Sequence, residues 1–141
     1  MDIKKLLMGG IVAGILFFLL GWLAYGTLLR TFFMNHPGTV MGVDRPDKEI
    51  QFLYLVIGNL ALGFTLAFIF TKSNVNSLSS GLVTGGLIGL LFSVGINCMM
   101  YATTNIVSKT AMAAGVATDT VMWAIAGAVV GAMMGMGKKA T

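Results

Sequence analysis

The chain has 141 residues, 57% of them hydrophobic and 10% charged, with nine Lys and Arg against five Asp and Glu for a net charge of +4. Its mean hydropathy is +0.90. A soluble domain carries about a quarter charged residues, so there is too little charge here to cover a water-facing surface. The cations are spread over the ends and connections, which excludes nucleic acid as a partner and suits the headgroups of a lipid bilayer.

Residues 6–29, 51–71, 80–104 and 118–137 contain no Lys, Arg, Glu or His, and a single acid, Asp119. Each stretch approaches or exceeds the roughly 20 residues that a helix needs to cross a bilayer. The pattern predicts an all-α membrane protein, an antiparallel bundle of four transmembrane helices forming one domain. A long outer loop over 30–50 holds both prolines, Pro37 and Pro46, so no span carries a proline kink. Lys4 and Lys5 precede the first run, which is too long for a leader h-region and reads as an uncleaved first helix. Pro46, Asp47 and Glu49 look like the first turn of the second helix, where proline is tolerated and acids face the positive end of the helix dipole. Thr118 and Asp119 fit the same capping part for the fourth helix.

Lys4, Lys5, Lys72, Lys138 and Lys139 fall on the side of the termini, and Arg30, Arg45, Lys48 and Lys109 on the other. That balance predicts cytoplasmic N- and C-termini. Trp22, Tyr25, Tyr54, Tyr101 and Trp123 all lie toward the end bearing the first and third connections. They read as an interfacial belt, or as the lining of a pocket open to that side.

Sixteen of the nineteen glycines lie within the four stretches. Gly81, Gly85 and Gly89 form one ladder at four-residue spacing, Gly127, Gly131 and Gly135 a second, and Gly10 and Gly14 a shorter third. Lipid supplies no hydrophobic drive for helix association, so glycine grooves that admit close backbone approach supply it instead. Such ladders serve packing of the third and fourth helices on each other within one bundle, or an interface with another copy or a partner subunit.

Asn59 and Asn97 fall at nearly one depth. Ser93, Asn97 and Tyr101 follow at four-residue steps along the third helix. An unpaired amide in hydrocarbon costs several kcal/mol, so each needs a partner or water. One reading is an Asn59–Asn97 hydrogen bond between helices, worth about 0.6 kcal/mol. The other is a polar cavity lined by Asn59, Asn97, Tyr101, Tyr25 and Trp123.

Met34, His36, Met41, Cys98, Met99 and Met100, with Met133, Met134 and Met136, could serve soft Cu(I). No Met-xxx-Met repeat appears within a span, so flexible packing beside glycine explains the methionines better, and no metal or other cofactor is expected. No carboxylate pair, Ser-His-Asp set or phosphate loop assembles, so no enzymatic activity is expected either. Proton-coupled export needs an ionisable residue within a span; with Asp119 read as a cap, no span holds one.

Residues 21–29, Gly-Trp-Leu-Ala-Tyr-Gly-Thr-Leu-Leu, resemble a family of small bacterial four-helix membrane proteins catalogued as a domain of unknown function. Its members show a Gly and then a Trp-Tyr-Gly-Pro-Leu-Phe-like run at the outer end of the first helix. Here Trp22 and Tyr25 are separated and Thr27 stands where proline is usual. The resemblance implies a bacterial inner-membrane location and no activity. Two functions remain: a structural or accessory subunit of a homo- or hetero-oligomeric membrane assembly, or a channel or transporter for an ion or small solute with its site near Asn59 and Asn97.

Overall fold

The computed structural model describes residues 2–136. Gly137, taken as the end of the fourth stretch, and Lys138 and Lys139, which entered the charge balance, lie outside the described residues. The chain is all-α, with four long apolar helices packed antiparallel. Helix α1 spans Ile3–Leu23, opened by Asp2, whose carboxylate accepts from the Lys5 amide at 3.1 Å. It continues as a π-turn over Ala24–Leu28, where the Leu29 amide reaches back five residues to the Ala24 carbonyl at 2.8 Å. A short α2 follows at Arg30–Asn35.

Asp47–Glu49 form a separate 3-10 turn instead of starting the second long helix. The Asp47 carboxylate accepts from Arg30 at 3.0 Å, and α3, Phe52–Lys72, begins three residues after Glu49. Asn74 is left-handed (φ 54°), a conformation Asn adopts more readily than most residues. It lets the Val75 amide bond the Phe70 carbonyl at 3.0 Å, which closes α3 and drops Val75 into the core. Ser77 and Ser80 then make a reciprocal capping box that opens α4, Leu78–Thr103.

The fourth span differs most from expectation. Helix α5 runs Lys109–Gly135, nine residues longer at its start than the uncharged stretch. Its cap is Ser108, whose hydroxyl oxygen accepts from the Ala111 amide at 3.1 Å and donates to the His36 carbonyl at 2.7 Å. The same contact region ties the first connection to the third, through the Thr39 amide on the Asn105 carbonyl at 2.9 Å. Asp119 is therefore no cap; it lies ten residues inside a transmembrane helix, about 15 Å from its start.

Helices α1 and α3 pack as one pair, α4 and α5 as another, and α1 against α5 joins them. Helices α3 and α4 do not pack on one another. The Gly81, Gly85, Gly127 and Gly131 ladders face each other inside the chain: a Cβ at Gly81 would collide with the Gly127 carbonyl, and one at Gly131 with the Ser77 carbonyl. Gly135 sits against the Asn76 carbonyl. Gly63 of α3, absent from the ladders read in the sequence, closes on the Gly10 carbonyl and the Gly14 amide of α1.

Phe17, Leu66, Phe70 and Val130 are fully buried, with Trp123 and Met134 packed on them. The opposite stripes, Ile11, Ile15 and Leu19 on α1 and Val83, Leu87 and Leu91 on α4, are exposed. Apolar surface this continuous is a lipid-facing surface. The chain is thus a small integral membrane protein.

Candidate functional site

The α4–α5 contact keeps one antiparallel register over five rungs. Gly81 meets Gly131, Gly85 meets Gly127, and Gly89 lies under the Trp123 side chain. One step further, the Ser93 hydroxyl donates to Asp119 Oδ2 at 2.7 Å. The last rung sets Asn97 Oδ1 against Gly115. The glycine ladder thus turns polar without leaving its line, because four-residue steps keep residues on one face of each helix. Ser93 and Asp119 each lie about 15 Å from the helix ends at the long-loop side.

The third wall comes from α1. The Tyr25 hydroxyl donates to Asp119 Oδ1 at 2.6 Å, with the Gly115 carbonyl at 3.4 Å as its weaker alternative. Tyr25 sits in the π-turn, the only described stretch where a long helix leaves α geometry, and π-turns concentrate at functional sites. Thr27, in the same turn, donates its hydroxyl to the Leu23 carbonyl.

Both carboxylate oxygens of Asp119 accept a hydroxyl, and no described Lys, Arg or His forms an ion pair with it; the one described ion pair is Arg30 with Asp47. Asn97 commits its amide N–H groups to the Ser93 carbonyl and hydroxyl at 2.9 and 3.0 Å. Asn59 donates to the Leu55 carbonyl of its own helix at 2.8 Å. The expected Asn59–Asn97 bond is replaced by these intrahelical bonds, because α3 and α4 do not close on each other at that level.

A cavity of about 130 Å³ fills the gap instead. Asn59, Ser93, Asn97 and Asp119 line it, with Phe17, Phe92 and Trp123 among its apolar walls. Below it, toward the termini, Phe17 and Trp123 pack with their rings tilted, 4.7 Å between centroids, and meet the buried Leu66, Phe70 and Val130. The cavity therefore has an apolar floor. A larger one of about 230 Å³ lies at the terminal end beside Asp2, Lys5 and Asn76, on the far side of that floor.

Of the residues singled out in the sequence, the structure gathers Asn59, Ser93, Asn97 and Trp123 at the cavity and brings Tyr25 to it through Asp119. It leaves Tyr101 outside and exposed. Tyr101 lies one turn beyond Asn97, in the last turn of α4 and past the level of the cavity lining. His36 is engaged at the loop, its Nδ1 2.8 Å from the Phe32 carbonyl and its ring on Phe32. Cys98, Met34, Met41 and Met99 are exposed, while Met134 is core. Among the described residues no three His, Cys, Asp or Glu side chains converge.

Asp119 is the residue that sequence reasoning misplaced, and the reading that no span holds an ionisable group falls with it. Two signals pointed to it: Ser108 is a good cap with no proline after it, and Asp119 and Trp123 continue the spacing of Gly127, Gly131 and Gly135 backwards. No family model matches the chain, and neither does any curated protein or solved structure.

Proposed function

We propose that this membrane protein binds a small cation-bearing solute or ion at Asp119 and passes it across the bilayer, and that it is not an enzyme. The observation that carries the reading is a transmembrane carboxylate held by Tyr25 and Ser93 at the wall of a cavity. An Asp near the middle of a span costs about 2.5–3.5 kcal/mol on insertion scales. Two interhelical hydrogen bonds return about 0.6 kcal/mol each. Burial on those terms is a net loss to stability, and intramembrane carboxylates kept at a loss mark ion and substrate pathways.

The accessory-subunit reading drew its support from glycine ladders free to meet a partner. Those ladders are occupied within the chain, so that reading has no observation of its own. We place both termini in the cytoplasm on the positive-inside balance, and the protein in a bacterial inner membrane on the likeness at residues 21–29.

Proteoliposome uptake with a panel of inorganic and organic monovalent cations tests the proposal. Uptake of at least one cation should exceed that of empty liposomes and fall about tenfold or more in Asp119→Asn, the loss of a charged hydrogen-bond partner. No uptake above empty liposomes, or uptake unchanged by Asp119→Asn, removes this function.

A further inference from the structure

The walls of the cavity say more about its occupant than the carboxylate does. Asp119 brings one negative charge, and no described cation balances it. The donors bonded at it are committed: the Tyr25 and Ser93 hydroxyls to the carboxylate, and the Asn97 amide to Ser93, while Asn59 and Trp123, elsewhere on the lining, make no bond to it. What remains beside the carboxylate is oxygen lone pairs, which take a positive charge or a donor and repel a second acceptor. A single carboxylate in a low-dielectric site also selects a monovalent charge, because a divalent ion would leave one charge uncompensated.

The remaining surface is aromatic and aliphatic. Phe17, Phe92 and Trp123 line the same space as Asp119, with Trp123 4.7 Å from Phe17 and 5.8 Å from Phe92 between ring centroids. Hard cations are held by about six or more oxygens, and rings offer none. Organic ammonium groups suit such walls: their charge is attracted to ring faces, and their methyl or methylene groups bury against them. Size narrows the class. About 130 Å³ holds about four water molecules, far below the roughly 300–1,000 Å³ of sites for drug-sized ligands.

We infer that the Asp119 cavity binds a small organic ammonium group, carboxylate on one side and Phe17, Phe92 and Trp123 on the other, in preference to an inorganic cation. This deepens the function proposed above and rests on it. The ammonium displaces neither hydroxyl. It takes the carboxylate lone pairs that Tyr25 and Ser93 leave open.

Trp123 supplies the readout. In Trp22→Phe protein in detergent, Trp123 is the sole tryptophan. Its fluorescence is followed while tetramethylammonium, tert-butanol or sodium is added at matched ionic strength. The alcohol is a neutral molecule of similar size and shape. Tetramethylammonium should give a saturable change that neither of the others gives, and Asp119→Asn should weaken it about tenfold or more.

A saturable response to sodium with none to tetramethylammonium overturns the ammonium assignment and leaves Asp119 as a cation site. An equal response to tert-butanol overturns it as mere apolar filling of the cavity. Unchanged tetramethylammonium binding in Asp119→Asn overturns the site itself, and with it the proposed function. Because the alcohol and sodium comparisons use the unsubstituted carboxylate, they hold even if Asp119→Asn fails to fold.

Discussion

Replacing Asp119 with Asn separates what the carboxylate costs from what it does. The amide keeps one oxygen to accept from Tyr25 or Ser93 and removes the charge from the span. On insertion scales the charge costs more than its two hydrogen bonds return. Asp119→Asn protein should therefore unfold in denaturing detergent at the same point as the parent or later, while losing uptake. A loss of more than about 1 kcal/mol would mean that the carboxylate is a structural keystone. Asn59 and Asn97 stood out in the sequence as polar residues in apolar runs, and both reach the cavity. What they bond to was not legible, because an amide in a helix can satisfy itself on the carbonyl four residues back, as Asn59 does on Leu55.

The four long helices themselves were legible as runs almost without charge. The α5 start was not: Lys109 and the weakly hydrophobic residues after it read as loop, although Ser108 caps a helix whose first two turns lie toward the long-loop end. The π-turn left no mark in the residues either. The ladders make the opposite case. Their spacing and the packing of the two long ladders on each other were legible, but which glycine meets which follows only from the shared register of α4 and α5. That register predicts position-specific costs. At Gly81 and Gly127 a Cβ would strike backbone of the facing helix, so Gly→Ala there should destabilise by about 1–3 kcal/mol. Nothing lies within 4 Å of a Cβ at Gly58 or Gly95, so Ala there should be neutral or add up to about 1 kcal/mol through helix propensity. Unfolding of the four variants in mixed micelles checks the contrast.

Four spans put the α3–α4 turn on the side of the N-terminus and the long first connection on the other. In a Cys98→Ser background, Val43→Cys should react with a membrane-impermeant thiol reagent from outside intact cells, and Ser73→Cys only after the membrane is opened. The reverse pattern would invert the proposed orientation and would open the Asp119 cavity toward the cytoplasm. At this level the sequence sufficed for class and membrane residence, because a deficit of charge has only one compatible solvent. It did not reveal that α1 pairs with α3 or that the two pairs stand apart, since the spans are apolar over nearly all of their surface. That division sets an order of assembly. Each pair buries its own glycine crossing and can close as soon as its two helices are inserted, whereas the α1–α5 seam must wait for both. Tyr25 and Asp119 meet only across that seam. The Asp119 cavity is therefore the latest part of the molecule to mature, and a chain halted before docking would hold Asp119 by Ser93 alone, with one carboxylate oxygen turned to lipid until Tyr25 arrives.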